Sequence, residues 1–287
     1  MPEIQGRIVV IGATGFVGSH VVARAKNAGW DVVALASSDI DLAEPSSGQA
    51  LAAMLQSGDT VVHAAAVVPT KSAADVSRNL LMTQTLVDAL AGVEIAQLVV
   101  VSSDAVYGSE SGVVDEESAC SPDSLHGVMS LAREMVCADV STPVLTLVRP
   151  AAIYGNGDTH NSYGPNRFAR QVLDSGEITV FGAGAATRDH VTIHDVAEVI
   201  FRAIESRQAG VINVASGQSI SFADLAGLVR DAGPAGARIV VAGSESSPTF
   251  RTYDISGLNR RFPELVPTGP AEGVSVMMAE MQGSAEA

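Results

Sequence analysis

Arg7-Ile-Val-Val-Ile-Gly12-Ala-Thr-Gly15-Phe-Val-Gly18, near the N-terminus, decides the fold class. The β-branched run Ile8 to Ile11 suits a strand buried on both faces. Three glycines punctuate the next seven positions, and residues 16–28 then carry a helical apolar pattern. A strand that turns directly into a helix aims the helix's first backbone N–H groups at the turn. An anion placed there, above all a pyrophosphate, is stabilised by those donors and by the helix dipole. Glycine permits the tight turn and lets a phosphate approach the backbone. Gly12, Thr14, Gly15, Phe16, Val17 and Gly18 are therefore the candidate dinucleotide contacts. A strand–helix turn without a ligand explains the triplet less well.

Working outward, short apolar runs alternate with longer helical stretches. Strands are expected over residues 7–11, 31–36, 60–64, 97–102, 144–149 and 211–214. Helices are expected over 16–28, 79–90, 125–140, 167–175, 195–206 and 222–232, with Ser124 and Ser221 as N-caps. Continuous rather than alternating apolar strands, separated by helices, imply an α/β doubly wound parallel sheet covered on both faces. Residues 1–150 read as the dinucleotide-binding domain, with 189–215 returning to it. Residues 151–188 and 216–287 read as a smaller, discontinuous C-terminal lobe that takes the substrate. Residues 154–166 read as loop and 282–287 as a frayed end.

The 287 residues are 47% hydrophobic, enough to bury a sizeable core. A net charge of −15 argues against a nucleic-acid backbone or an anionic membrane as the main partner, since both need clustered cations. No apolar run approaches a membrane span, and no signal-like segment opens the chain. Two cysteines, Cys120 and Cys137, form no disulfide framework, and the scattered histidines form no metal-ligand spacing. A cytoplasmic setting without a metal is the expectation.

The acidic residue that grips a ribose 2′-hydroxyl in NAD proteins is expected near Ala36, where none stands. Ser37 and Ser38 follow and suit a 2′-phosphate, but no arginine accompanies them. Asp39 reaches a ribose if its loop bends back. The cofactor is accordingly NAD or NADP.

Further motifs stand in register with the glycine loop. They are His63-Ala-Ala-Ala66, Asn79, Ser102-Ser103-Asp-Ala-Val-Tyr107-Gly108 and Arg149-Pro-Ala-Ala-Ile-Tyr154-Gly155. Asn161-Ser-Tyr-Gly-Pro-Asn-Arg-Phe168, Val180-Phe-Gly182-x-Gly184, Arg188-Asp189 and Arg251-x-Tyr-Asp254 follow. Together they resemble the extended short-chain dehydrogenase/reductase family, a Rossmann-type fold, in its sugar-nucleotide epimerase/dehydratase branch. The resemblance implies that Asp41 and Leu42 border the adenine and that Ala64, Ala65 and Ala66 line the cofactor backbone. It implies that Ser103 bonds the reacting sugar oxygen, with Asp104, Tyr107 and Asn166 among the substrate contacts. Arg188 and Arg251 would clamp a substrate diphosphate, a role that suits the guanidinium fork. For either arginine alone, a surface ion pair in an acidic protein is an equal alternative. The resemblance also implies a homodimer through the helices 79–90 and 125–140, whose apolar residues core packing explains equally well.

In that family a tyrosine and a lysine four residues later share one helix face and move the sugar proton. Here His126 and Ser130 stand in those places. The chain's only lysines are Lys26 and Lys71, and neither follows a tyrosine at that spacing. Three readings follow. In the first, His126 is the general acid/base, since an imidazole titrates near neutral pH without help, while Ser103 orients the substrate oxygen and Ser130 bonds the ribose. In the second, the protein is a catalytically silent NAD(P) and nucleotide-sugar binder or sensor. In the third, Asp104, Tyr107 or Tyr163 carries different chemistry. The first implies hydride transfer at a sugar carbon of a nucleotide-linked sugar, of epimerase or ketoreductase type. Arg133, seven residues after His126, is assigned no role. His63 and His194 read as structural, and His160 and His190 as loop residues beside the substrate lobe.

Overall fold

The computed structural model describes residues 6–161, 164–243 and 248–285; Tyr163 and Ser162 lie outside them. The first elements in chain order are β1 (Ile8–Ile11), α1 (Phe16–Asn27), β2 (Val32–Leu35), α2 (Ser47–Met54), β3 (Thr60–His63), α3 (Ala73–Leu90), β4 (Gln97–Val101), β5 (Gly112–Val114) and α4 (Leu125–Ala138). There follow β6 (Leu145–Pro150), β7 (Ala152–Tyr154), α5 (Gly164–Ser175), β8 (Glu177–Phe181), β9 (Thr187–Arg188), β10 (His190–Thr192), α6 (Ile193–Glu205) and β11 (Gly210–Val214). The chain continues through β12 (Ile220–Ser221), α7 (Phe222–Asp231), β13 (Arg238–Ala242), β14 (Arg251–Tyr253), α8 (Ser256–Arg261) and α9 (Pro270–Ala285).

The run Ile8–Ile11 sits inside a six-stranded sheet of order β11-β6-β4-β3-β1-β2. β1 pairs in parallel with both β2 and β3, and β3–β4 and β4–β6 are parallel too. The direction of winding therefore reverses at β1, which opens a crevice beyond the C-terminal ends of β1 and β3. The strands are apolar on both faces because both are covered. Val9, Ile11, Val61, Leu98 and Val100 join Leu51, Leu86, Leu90 and Cys137 of α2, α3 and α4 in one core cluster. Ile8, Val10, Val62 and Val99, equally buried, alternate to the opposite face. Helices α1 and α6 meet through Trp30 edge-on to Phe201 and the Arg24–Glu198 ion pair.

The chain divides into two compact units. The first is Met1–Gly108, Ala119–Pro150 and Val196–Asn213, and the second is Ser109–Ser118, Ala151–Asp195 and Val214–Ala287. The returning segment is thus shorter than the expected 189–215, and a ten-residue piece around β5 belongs with the C-terminal unit. That piece leaves because β5 pairs with β14, placing Gly112 beside Arg251. The second unit also contains the parallel pairs β8–β13 and β7–β10 and the antiparallel pair β9–β12. Its core joins Tyr154, Phe168, Val172, Ile178, Leu225, Val229, Val274 and Met277.

Several boundaries differ from the sequence reading. Helix α3 starts at Ala73 rather than 79, because Ser72 and Asp75 form a reciprocal capping box. Helix α5 begins at Gly164, inside the expected loop. Helix α9 runs to Ala285, through most of the segment expected to fray, while residues 286–287 lie outside the described chain. His190 is not a loop residue: it lies in β10, 1% exposed, with edge-on contacts to Tyr154 and Phe222. Burial, with the Arg188 charge assisting, lowers its pKa to about 4.

The sign of that shift sets a pH dependence. An unfolded imidazole binds its proton below about pH 6.5, whereas the folded one resists down to about 4. The folded state therefore holds its full His190 contribution above pH 6.5 and loses it as pH falls toward 4. The expected loss is roughly 3 kcal/mol by pH 4. Urea unfolding of His190→Gln across this range should show a correspondingly shallower dependence than the parent protein.

Candidate active site

At the end of β1 the chain enters the glycine turn. Gly12 has φ +87°, a left-handed conformation that glycine accepts freely. A Cβ there would lie 2.6 Å from Ala65 N and 2.7 Å from Ala65 Cα, so the β1 and β3 loops touch backbone to backbone. Gly18 packs on the Gly12 carbonyl and seats α1 against the turn. Gly15 differs: it is exposed, has an ordinary φ of −74°, and would place a Cβ near Gly12 O alone. It is the N-cap of α1 and, as glycine, supplies no side-chain cap to that helix. Its opening amides are thus presented to an incoming anion. These features fit a dinucleotide pyrophosphate. Thr14 is exposed here, with Phe16 and Val17 half-buried behind it.

At the end of β2, Ser37 and Ser38 are exposed. Asp39 does bend back: its Oδ2 accepts the Ala36 N–H at 2.9 Å. Its carboxylate therefore lies beside the Ala36 backbone at the end of β2. Asp41 takes the Ala43 amide at 2.9 Å, while Leu42 is 2% exposed and belongs to the core cluster. Ala64, Ala65 and Ala66, half-buried, follow β3.

β4 leads into Ser102 and Ser103. Ser103 N-caps a short 3₁₀ turn, Asp104–Tyr107: its Oγ accepts the Ala105 amide at 3.1 Å and lies 3.3 Å from Asp104 Oδ1. Helix α4 is capped by Ser124, whose Oγ accepts the Gly127 amide at 3.1 Å. Gly127 packs against the Ala105 carbonyl, a contact that leaves no room for a side chain. This brings the start of α4, with His126, against the 3₁₀ turn that Ser103 opens. The His126 ring is half-buried, with Nδ1 3.5 Å from Thr70 Oγ1. Ser130, one turn on, is 2% exposed.

A buried polar network locks these pieces together. Arg149, at the end of β6, donates to both Glu134 oxygens, at 2.9 and 2.6 Å. Ser102 donates to Glu134 at 2.5 Å, and Arg149 donates to the Tyr107 hydroxyl at 2.8 Å. Tyr107 in turn donates to Asn213 at 2.9 Å. Burial pulls the Arg149 guanidinium down, but Glu134 and Tyr107 outweigh it and the net direction is up. Tyr107 is a correction to the sequence reading. Its hydroxyl is engaged inside the network, 6% of the residue is exposed, and burial raises its pKa.

Arg133, assigned no role from sequence, proves to be a second internal anchor. It is 3% exposed and donates to Ala65 O at 3.0 Å, Thr83 Oγ1 at 3.3 Å and Val101 O at 3.4 Å. Neighbouring Glu134 turns to Arg149 instead. Burial brings the Arg133 pKa down to about 10, with Cys137 and Glu134 opposing. His63, wholly buried nearby, is held well below its ordinary value by burial and by the Arg133 charge.

In the second unit, Thr187 pairs with Phe250, which sets Arg188 and Arg251 side by side on adjacent strands. Arg188 donates to the Thr249 hydroxyl at 2.6 Å and to its carbonyl at 3.2 Å. Arg251 is 5% exposed, and its buried Nε has no hydrogen-bond partner among the described residues. Asn166, expected at a substrate, is fully buried with its amide closed on the Gly155 peptide, at 3.1 and 2.7 Å. It shapes the loop rather than reaching a ligand. A pocket of about 270 Å³ in this unit is lined by Arg167, Phe168, Val180, Phe181 and Phe222. Among the described residues no helix is long and apolar enough to cross a membrane, and no metal-binding cluster is found.

A parallel sheet with a glycine turn at its switch point defines a dinucleotide-binding α/β protein of the doubly wound class. The chain belongs to the NAD dependent epimerase/dehydratase family, whose model matches residues 8–215. It is therefore a member of an NAD-dependent enzyme family. A Streptomyces dTDP-4-dehydro-6-deoxy-D-allose reductase is 28% identical over 262 residues, covering 77% of this chain and 79% of that protein. RMD from Pseudomonas aeruginosa, complexed with NADPH, has a TM-score of 0.83 at 24% identity, covering 98% of this chain and 100% of that one. The UDP-glucose 4-epimerase of Thermus thermophilus, in complex with NAD, has a TM-score of 0.83 at 22% identity, covering 97% and 99%. The two structures show the shared fold.

Removing Glu134 should strand the buried Arg149 charge. Glu134→Ala is expected to destabilise the protein by about 3–5 kcal/mol in urea unfolding. Combining it with Arg149→Met should recover part of that loss, because both charges then leave together.

Proposed function

We propose that the protein transfers a hydride between a sugar carbon of a nucleotide-linked sugar and NAD, with His126 as the general acid/base. The observation that carries this reading is the placement of His126. An imidazole stands at the start of α4, against the turn that Ser103 opens, within the unit that holds the glycine loop. The nicotinamide, when bound, supplies the hydride acceptor or donor. Gly15 and the first amides of α1 hold its pyrophosphate. Asp39 takes the adenosine ribose hydroxyls, and its carboxylate disfavours a 2′-phosphate, which supports NAD over NADP. Ser103 orients the sugar oxygen by hydrogen bonding, and His126 takes or returns that oxygen's proton. Ser130, one turn after His126, bonds the nicotinamide ribose in this reading.

The second unit is the substrate lobe in this reading. Arg188 and Arg251 clamp the diphosphate, supported by the buried Arg251 Nε, which has no hydrogen-bond partner among the described residues. The aromatic slot of Phe168, Phe181 and Phe222 suits a nucleobase.

A homodimer through α3 and α4 is part of the same proposal, supported by Leu81, Val128 and Met135, which stay exposed on those helices. Sedimentation velocity should give a dimer for the parent protein and a monomer for Met135→Asp.

The functional test pairs binding with turnover. Dinucleotide released on denaturation is identified by mass spectrometry, and UDP- and dTDP-linked hexoses, with their 4-keto forms, are offered as substrates. His126→Ala should keep the bound NAD and lose about 10²–10⁴-fold in kcat. Full turnover in that variant excludes His126 as the base. Bound NAD with no turnover on any of these sugars in the parent protein favours a silent binding protein.

A further inference from the structure

We propose that Thr70 is the positioning residue of the site: its hydroxyl selects the His126 tautomer with the proton on Nδ1 and the lone pair on Nε2. The proposal rests on the reading of His126 as the acid/base.

Thr70 is 6% exposed, on the segment between β3 and α3. Its Oγ1 lies 3.2 Å from the Val67 carbonyl and 3.5 Å from His126 Nδ1. A hydroxyl has one hydrogen to give and two lone pairs to offer. A carbonyl oxygen only accepts, and Val67 O is the nearer partner, so the hydrogen goes there. Oγ1 then meets Nδ1 with a lone pair, and Nδ1 must carry the ring proton. In that tautomer of a neutral imidazole the lone pair is on Nε2. The opposite assignment requires the hydroxyl to abandon the closer carbonyl for the more distant nitrogen.

The hydroxyl's position is secured on both sides. Asn79, 1% exposed on α3, accepts the Val67 amide at 2.8 Å and donates to the Val67 carbonyl at 3.0 Å. Beyond Thr70, Asp75 accepts the backbone N–H groups of Lys71 at 3.0 Å and Ser72 at 2.9 Å. Asp75 is itself part of the capping box of α3. The start of α3 therefore holds the segment at Val67 and at Lys71, with Thr70 between them. A bond of 3.5 Å is long, as such bonds commonly are before a substrate is bound. An imidazole with no fixed tautomer divides its protons between two nitrogens, and only one arrangement leaves a lone pair toward the substrate.

The experiment uses the full chain labelled with ¹⁵N-histidine, its His126 signals assigned by their absence in His126→Gln. The ring nitrogen shifts of the neutral imidazole report the tautomer directly. The parent protein is expected to show the Nδ1–H form. Thr70→Val, isosteric but without the acceptor, should shift the population toward Nε2–H, and Thr70→Ser should restore it. On any hexose nucleotide that the parent protein turns over, Thr70→Val should lower kcat about tenfold with KM little changed. An Nε2–H imidazole in the parent protein overturns the proposal, as does a tautomer indifferent to Thr70→Val. The parent spectrum is decisive even where a variant fails to fold. Failure of the acid/base reading is distinguishable: full turnover by His126→Ala removes that reading, while the tautomer result stands on its own.

Discussion

The fork from Arg149 to Glu134 is the interaction on which the rest of the first unit depends. It joins the end of β6 to the middle of α4 through two charge-assisted bonds, at 2.9 and 2.6 Å. Ser102 adds the end of β4, and Tyr107 adds the 3₁₀ turn. A buried ion pair gains little net stability over a hydrophobic packing of the same volume, because desolvation offsets most of its attraction. Its consequence here is geometric. Directional bonds fix the height of α4 against the strand ends, and that height decides where His126 stands relative to Ser103.

Helix α4 carries a second cation in an unusual setting. The Arg133 guanidinium is held by the carbonyls of Ala65 and Val101 and by the Thr83 hydroxyl rather than by a carboxylate. Carbonyls at the C-terminal ends of parallel strands present oxygen to such a charge, and with the hydroxyl they spread its desolvation cost. The result ties α3, α4 and the ends of β3 and β4 into one rigid floor. Burial, with the Arg133 charge assisting, holds the His63 pKa well below its ordinary value, as suits a histidine that serves packing. Position 130 on this helix is a serine, and Arg133 places a buried positive charge one turn further along.

The second unit is built differently. Its sheets are two-stranded, and its core of Phe168, Ile178, Leu225 and Met277 is what holds them. The pairing of β9 with the segment entering β14 brings two arginines from positions 63 residues apart in sequence to neighbouring places. Arg251 Nε is buried and has no hydrogen-bond partner among the described residues, and a buried unbonded donor is costly.

Much of this was legible from the chain. The β-branched run before Gly12, the glycine spacing and the alternation of elements determine a doubly wound parallel sheet, because local propensity and burial pattern agree there. The serine caps Ser124 and Ser221 were readable for the same reason, and the absence of Tyr-x-x-x-Lys needs no structure at all. Other features depend on partners distant in sequence. The bend that brings Asp39 to the Ala36 amide is left open by the sequence, Tyr107 reads as a site residue until Arg149 and Asn213 claim its hydroxyl, and Arg133 has no role until the carbonyls around it are seen. Thr70 carries no motif, and only the approach of α4 to the segment after β3 gives it a role. The sequence by itself determined the sheet, the cofactor turn and the absence of a Tyr-x-x-x-Lys motif, since these rest on local pattern and residue identity. Only the tertiary structure decided which polar groups are already committed to one another, because hydrogen-bond capacity is finite and is allotted across contacts that no local pattern encodes.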